Sequence, residues 1–276
     1  MATPLAVLDR IQLRAKAKSL SIEIQSGELI AIMGPAGGGK SHLLEVIAGA
    51  AKPADGKFTS EVTIHFCGDP IFPRRATPLS LARSAQSTKD NQRTIIVLNA
   101  LGLTDVREQP VVRLSQSQMI ACTLIEGLIP ESGITLIDGL LDLLDPWILD
   151  RTLRVILDDL ELGKSYLFAT HQPPLAEQAD QLILVKEQSM VFAGSISELI
   201  ARTKPAEFII ECDDNSTVAA LVEPFAISIK KSPGRIVFTT HRGQSLAAKL
   251  LTHGYGPIRT ITVKQPTLAD ALKTLI

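Results

Sequence analysis

Gly34-Pro35-Ala36-Gly37-Gly38-Gly39-Lys40-Ser41 decides how the rest of this 276-residue chain is read. Four glycines in eight positions let the backbone curl tightly and approach a ligand without Cβ clashes. The freed N–H groups then point at phosphate oxygens. In such a loop Lys40 reaches the terminal phosphates and the Ser41 hydroxyl holds magnesium. The flanks fit. Glu28 to Met33 is a short apolar run after an acid and predicts a buried strand. Ser41 to Ala50 carries Leu43, Leu44 and Ile47 at helical spacing, with Gly49 as a stop. Strand, glycine loop and helix together aim a helix N-terminus at an anion.

Outward from the loop, the pattern predicts strands over Ser19–Ile24, Val62–Phe66, Gly133–Asp138, Tyr166–Thr170 and Gln181–Val185. Ala51–Gly56 reads as a loop. Leu79 to Leu128 is helical and more polar, with breaks at Gly102 and near Pro110. Trp147 to Leu160 places Ile148, Thr152, Val155, Ile156 and Leu160 on one helical face. Strands alternating with helices argue for an α/β fold with a mostly parallel sheet, helices on both faces and a helical subdomain. The periodicity changes near Thr203-Lys204-Pro205. Beyond it come strands over Glu207–Glu211, Ala226–Lys230, Arg235–Thr240 and Ile258–Lys264. Helices are predicted over Val218–Val222, Gln244–Thr252 and Leu268–Leu275. That order is a ferredoxin-like α+β pattern. Two domains follow, residues 1–203 and 205–276.

The bulk numbers exclude several classes. A net charge of −1 gives no basic footprint for nucleic acid, so none is expected as a partner. Cys67, Cys122 and Cys212 are three scattered cysteines without metal-ligand spacing, which fits a reduced compartment. Asp9, Arg10 and Arg14 interrupt the early apolar residues, so no signal peptide is expected. No apolar stretch approaches the roughly twenty residues of a membrane helix. If the protein works at a membrane, another chain holds it there.

Further motifs follow the loop. Asp138 ends its strand, where an acid either orients the water shell of magnesium held by Ser41 or merely satisfies backbone N–H groups. His171 follows the strand Tyr166–Thr170, at a strand tip where an imidazole meets a terminal phosphate. Leu114-Ser115-Gln116-Ser117-Gln118 precedes a helical stretch, with Ser115 and Gln118 spaced as a capping box. The same capped helix end presents N–H groups to a phosphate, including one bound by another subunit.

Taken in order, the glycine loop, Leu114–Gln118, the strand ending in Asp138, Leu144-Asp145-Pro146 and His171 resemble the ATP-binding subunits of ABC transporters. The resemblance covers roughly residues 5 to 203. It implies a P-loop ABC-type nucleotide-binding domain with ATP and magnesium as cofactors. By resemblance, the loop and His42 after it bind the nucleotide, and Ser41 and Asp138 hold the metal. Leu114–Gln118 is the signature, Leu144–Pro146 the loop crossing the dimer interface, and His171 the switch histidine. The tail Thr262–Asp270 is similar to that of exporter ATPase subunits. The implied partners are a membrane-spanning transporter subunit and a second ABC ATPase subunit, in a homo- or heterodimer. The implied location is the cytoplasmic face of the cell membrane, as a peripheral subunit.

The departures from the family pattern concern hydrolysis. The family's water-polarising glutamate is here Gly139, its magnesium-linking glutamine is Gly68, and the two signature glycines are Gln116 and Ser117. His42 replaces a threonine, and no adenine-stacking aromatic stands between Ile11 and Lys16. Loss of a general base costs about 10²–10⁴ in rate. The expectation is therefore an ATP-binding export subunit whose own site hydrolyses slowly or not at all. The alternative is a pseudo-ATPase whose nucleotide only stabilises an assembly.

Overall fold

Leu29–Met33 (strand β3) is buried along its whole length, and so are Ile134–Ile137 of β6 (Ile134–Asp138) and all of β7 (Ser165–Ala169). Uninterrupted apolar strands of this kind need cover on both sheet faces. The computed structural model describes residues 3–86, 91–203, 205–240 and 258–275. They fall into two compact units, Met1–Ser195 and Ile196–Ile276.

In the first unit, β5 (Ile64–Cys67), β6, β7, β3, β8 (Gln181–Lys186) and β9 (Ser189–Gly194) form one sheet in that order. All neighbours are parallel except β8 and β9. β7 lies between β3 and β6, pairing Ile32 with Ala169 and Ala169 with Asp138. That register brings three strand ends to one edge: the start of the glycine loop, Asp138, and Thr170-His171. The carboxyl edge of such a sheet is where ligands bind in open α/β folds.

A second, antiparallel sheet joins β2 (Leu20–Ile24), β1 (Ala6–Gln12) and β4 (Asp55–Ser60). Neither β1 nor β4 is predicted from the sequence. A register shift between Leu8 and Ile11 breaks the period of two in β1. β4 is largely exposed and opens on Asp55-Gly56, where Ala51–Gly56 reads as a loop. The glycine loop leads into α1 (Lys40–Ile47), which ends before Gly49 in the left-handed conformation, φ 75°. The helical segment consists of α2 (Pro78–Ala85), α3 (Asn91–Ala100), α4 (Gln116–Thr123) and α5 (Ile125–Leu128). Gly102, at φ 67°, follows α3 as the predicted break. α6 (Pro146–Glu161) buries Thr152, Val155 and Ile156 as its periodicity requires. It also buries Asp159, which the apolar pattern does not anticipate.

In the second unit, β10 (Ala206–Cys212), β11 (Ser228–Ser232), β12 (Arg235–Thr240) and β13 (Ile258–Lys264) form an antiparallel sheet in the order β11-β12-β10-β13. α9 (Asn215–Val222) stands between β10 and β11, and α10 (Leu268–Leu275) follows β13. The predicted helix Gln244–Thr252 lies outside the described residues. Phe208 and Phe238 stack in the core, ring centroids 4.9 Å apart. The change of periodicity predicts a boundary between 203 and 205. Helix α8 (Ile196–Thr203) instead belongs with the second unit, because it packs on α10.

Candidate functional site

Gly34 leaves β3 at φ 154°, and a Cβ there would stand 1.9 Å from the Val185 carbonyl oxygen of the neighbouring strand. Only glycine lets the chain turn that close to β8. Gly37 and Gly39 are also at positive φ, 70° and 108°. Gly39 is the N-cap of α1 and has no side chain to cap it. The first-turn N–H groups of α1 are thus left for an anion, with no acidic residue among them.

Lys40 runs back inside this curl. Its Nζ donates to the carbonyls of Gly34 at 2.9 Å and Pro35 at 3.0 Å. Burial pushes its ammonium below the usual lysine range, and the carboxylates of Asp138 and Asp142 oppose that shift. The only cation of the loop is therefore held at its centre, within the field of the two acids.

The turn between β8 and β9 braces the loop from outside. Glu187 and Gln188 both take positive φ, 51° and 58°, as a two-residue hairpin turn with right-handed strand twist demands. The Gln188 N–H donates to the Gly38 carbonyl at 2.7 Å. Because the peptide is planar and trans, turning the Gly38 carbonyl toward the hairpin turns the Gly39 N–H away from it. The sequence offers no glycine or asparagine at this turn, so neither β9 nor its contact with the loop is predicted.

A cavity of about 960 Å³ collects the other groups. Ser41, Asp138, Gly139 and His171 line it, together with Glu45, Asp69, Gln116 and Asp142. Gly139 is left-handed, φ 67°, and a Cβ there would meet nothing within 4 Å. Space exists at that position, but its backbone is one that L side chains rarely adopt. Asp142 is a nearby carboxylate that the sequence reading passes over. Its Oδ1 accepts from Thr170 Oγ1 at 2.5 Å and its Oδ2 from the His171 N–H at 2.7 Å. Both oxygens thus face donors on the β7 tip.

His42, predicted in the nucleotide set, turns toward Glu45, with Nδ1 3.6 Å from Oε2, and is not part of the cavity wall. Ser115 and Gln118 form the predicted capping box on α4. The Gln118 N–H donates to Ser115 Oγ at 3.3 Å, and Gln118 Oε1 accepts from the Ser115 N–H at 3.0 Å. Asp145 caps α6 by accepting from the N–H groups of Trp147 and Ile148 at 3.1 and 3.0 Å, with Pro146 in the first turn. Of Leu114–Gln118 and Leu144–Pro146, only Gln116 reaches the cavity. Among the described residues no cluster of three or more His, Cys, Asp or Glu side chains suits a metal by itself. The Ser41 hydroxyl and the Asp138 carboxylate on this cavity are oxygen donors of the kind magnesium takes while keeping waters and sharing its shell with phosphates.

Residues 17–140 match a family model described as ABC transporter. Over 237 residues the chain is 27% identical to the taurine import ATP-binding protein of Pseudomonas aeruginosa, covering 80% of this chain and 87% of that protein. It is 27% identical over 197 residues to the oligomycin resistance ATP-dependent permease of Saccharomyces cerevisiae, 68% of this chain but only 13% of the permease. A solved ATP-binding cassette, captured as a dimer in a post-hydrolysis state with ADP and phosphate, shares the fold with a TM-score of 0.58 and 19% identity. It covers 69% of this chain and 98% of its own.

Proposed function

We propose that this chain is an ATP-binding subunit of the ABC transporter kind, which holds ATP with magnesium in the cavity at the β3, β6 and β7 tips and hydrolyses it slowly or not at all. One observation carries the reading. Ser41 and Asp138 line a single cavity beside the Lys40 loop, while the position after Asp138 is a left-handed glycine. Bound magnesium would neutralise phosphate charge between Ser41 and Asp138. The chain's own residues do the rest. The loop amides and the α1 N-terminus orient the phosphates, Lys40 supplies the positive charge, and His171 faces the terminal group from β7. No side chain at Gly139 takes a proton from water.

No helix among the described residues is long and apolar enough to cross a membrane. Because the Pseudomonas relative matched along most of its length is named an ATP-binding protein of an import system, we assign membrane crossing to a separate chain, with this one docked on its cytoplasmic side. A second ABC ATPase subunit, identical or different, faces it, as in the dimeric relative. The transport names of the relatives favour this reading over a purely structural subunit. Export rests on the tail Thr262–Asp270, whereas the relative matched along most of its length is named for import. We accordingly assign the direction of transport to the membrane chain.

Magnesium tests the site. Glu45, Asp69, Asp138 and Asp142 surround the cavity and would repel a bare triphosphate. Isothermal titration of the purified chain with ATP should show binding with magnesium and at least a tenfold loss in EDTA. Equal affinity with and without the metal contradicts the assignment of Ser41 and Asp138.

A further inference from the structure

Asp142 stands in the short 3₁₀ turn Leu140–Leu143, one residue from Leu141, which is fully buried, and between neighbours that are all leucine. A carboxylate in this apolar turn needs a reason, and its partners supply one. Besides the bonds to Thr170 Oγ1 and the His171 N–H, the Asp142 carbonyl accepts from Gln172 Nε2 at 3.4 Å. Thr170 Oγ1 in turn accepts from the Gln172 N–H at 3.0 Å. Three of these bonds fasten the tip of β7 to the turn after β6, and the fourth closes the tip on itself. They fix the backbone on both sides of His171, and with it the direction in which that side chain leaves the chain.

His171 is among the residues lining the cavity. A leucine or alanine in place of Asp142 would give the His171 N–H no acceptor here. We propose that Asp142 is a positioning residue for this site: its carboxylate sets His171 against the terminal phosphate and thereby separates nucleoside triphosphate from diphosphate. The proposal rests on the nucleotide reading above. Loop and lysine contacts serve both nucleotides through the phosphates they share. Only a group beyond the shared phosphates discriminates, and His171 stands on a different strand from the loop.

The test uses the full chain and four variants: Asp142→Ala, Asp142→Asn, His171→Ala and the double variant Asp142→Ala/His171→Ala. Affinities for Mg·ATP and Mg·ADP are measured on each, and the imidazole of His171 is followed by NMR. We expect Asp142→Ala to weaken Mg·ATP about tenfold, to leave Mg·ADP within twofold and to shift the His171 signals. The double variant should lose no more than the worse single one, since both act through one group. Asp142→Asn is isosteric and keeps one acceptor oxygen. It should fall between, and it carries the comparison if the alanine variant does not fold. Equal losses for the two nucleotides, unmoved His171 signals, or additive losses in the double variant overturn the proposal. Failure of the unsubstituted chain to bind either nucleotide overturns the site reading beneath it.

Discussion

Lys40→Ala is expected to weaken Mg·ATP binding by about a hundredfold while leaving the fold intact. The lysine is buried inside the loop with its Nζ on the Gly34 and Pro35 carbonyls, 2.9 and 3.0 Å away. On binding, that ammonium moves its hydrogen bonds from neutral carbonyls to charged phosphate oxygens. Bonds to charged groups are worth about 1.5–3 kcal/mol each, more than those they replace. A net loss of about 3 kcal/mol corresponds to roughly a hundredfold in the dissociation constant. Two loop carbonyls lose their donor in the variant, and water entering the space left by the side chain replaces it. Titration of the two proteins under identical magnesium and salt decides the matter. Unchanged affinity would remove the loop from the binding account.

Asp159→Ala is expected to cost the first unit about 3–5 kcal/mol of stability, the usual penalty for breaking a buried ion pair. Asp159 is only 1% exposed, yet it accepts from Arg93 Nη2 at 2.6 Å and from the Tyr166 hydroxyl. Lys164, 0% exposed, has its Nζ 3.5 Å from the same carboxylate and 4.7 Å from the Tyr166 ring centroid. That Nζ also donates to the Gly127 and Pro130 carbonyls at 2.6 Å each. The cluster ties α3 and the end of α5 to α6 and β7. Without Asp159, two cations and a phenol stay buried with no counter-charge. Chemical denaturation followed by far-ultraviolet circular dichroism measures the loss. A change under about 1 kcal/mol would show the cluster to be more hydrated than its burial implies.

The same cluster gives a pH signature. Burial lowers the Lys164 pKa from an ordinary 10.5 to about 8, with Asp159 opposing the shift. Between those values the unfolded chain holds a proton that the folded chain has released. The contribution of Lys164 to stability therefore rises as pH climbs from about 8. Burial holds the Tyr166 pKa well above its ordinary 10.0, so the folded chain keeps the phenol proton that the unfolded chain loses. Its contribution falls above about pH 10 and ends the rise. The pH 8–10 rise should be absent in Lys164→Met.

Most of what positions the site is legible in the sequence, because it depends on local chemistry. The glycine loop, the buried and mainly apolar strands β3, β6 and β7, and the acid ending β6 each carry their own signal. The capping box at Ser115 and Gln118 is likewise local, and the hydrogen bonds match it. What the sequence hides depends on contacts between distant segments. β1 is masked by its register shift, and β9 by a hairpin turn built on Glu187 and Gln188 in place of glycine. Asp142 lies among leucines, and its meaning appears only when β7 brings Thr170 and His171 beside it. Asp159 reads as one more acid on an amphipathic helix until Arg93, Lys164 and Tyr166 converge on it. The placement of α8 follows from its packing on α10, about seventy residues on, which no local period reveals.

The central claim is that nucleotide binding and hydrolysis have separated in this chain. The most direct measurement follows both in one sample: Mg·ATP occupancy and the release of inorganic phosphate by the purified protein at saturating nucleotide. The account predicts full occupancy with phosphate release about 10²–10⁴ slower than in an ABC ATPase that keeps its glutamate, a barrier higher by roughly 3–5 kcal/mol. Brisk release from the chain alone, lost on substitution of Asp142 or another cavity carboxylate, would contradict it.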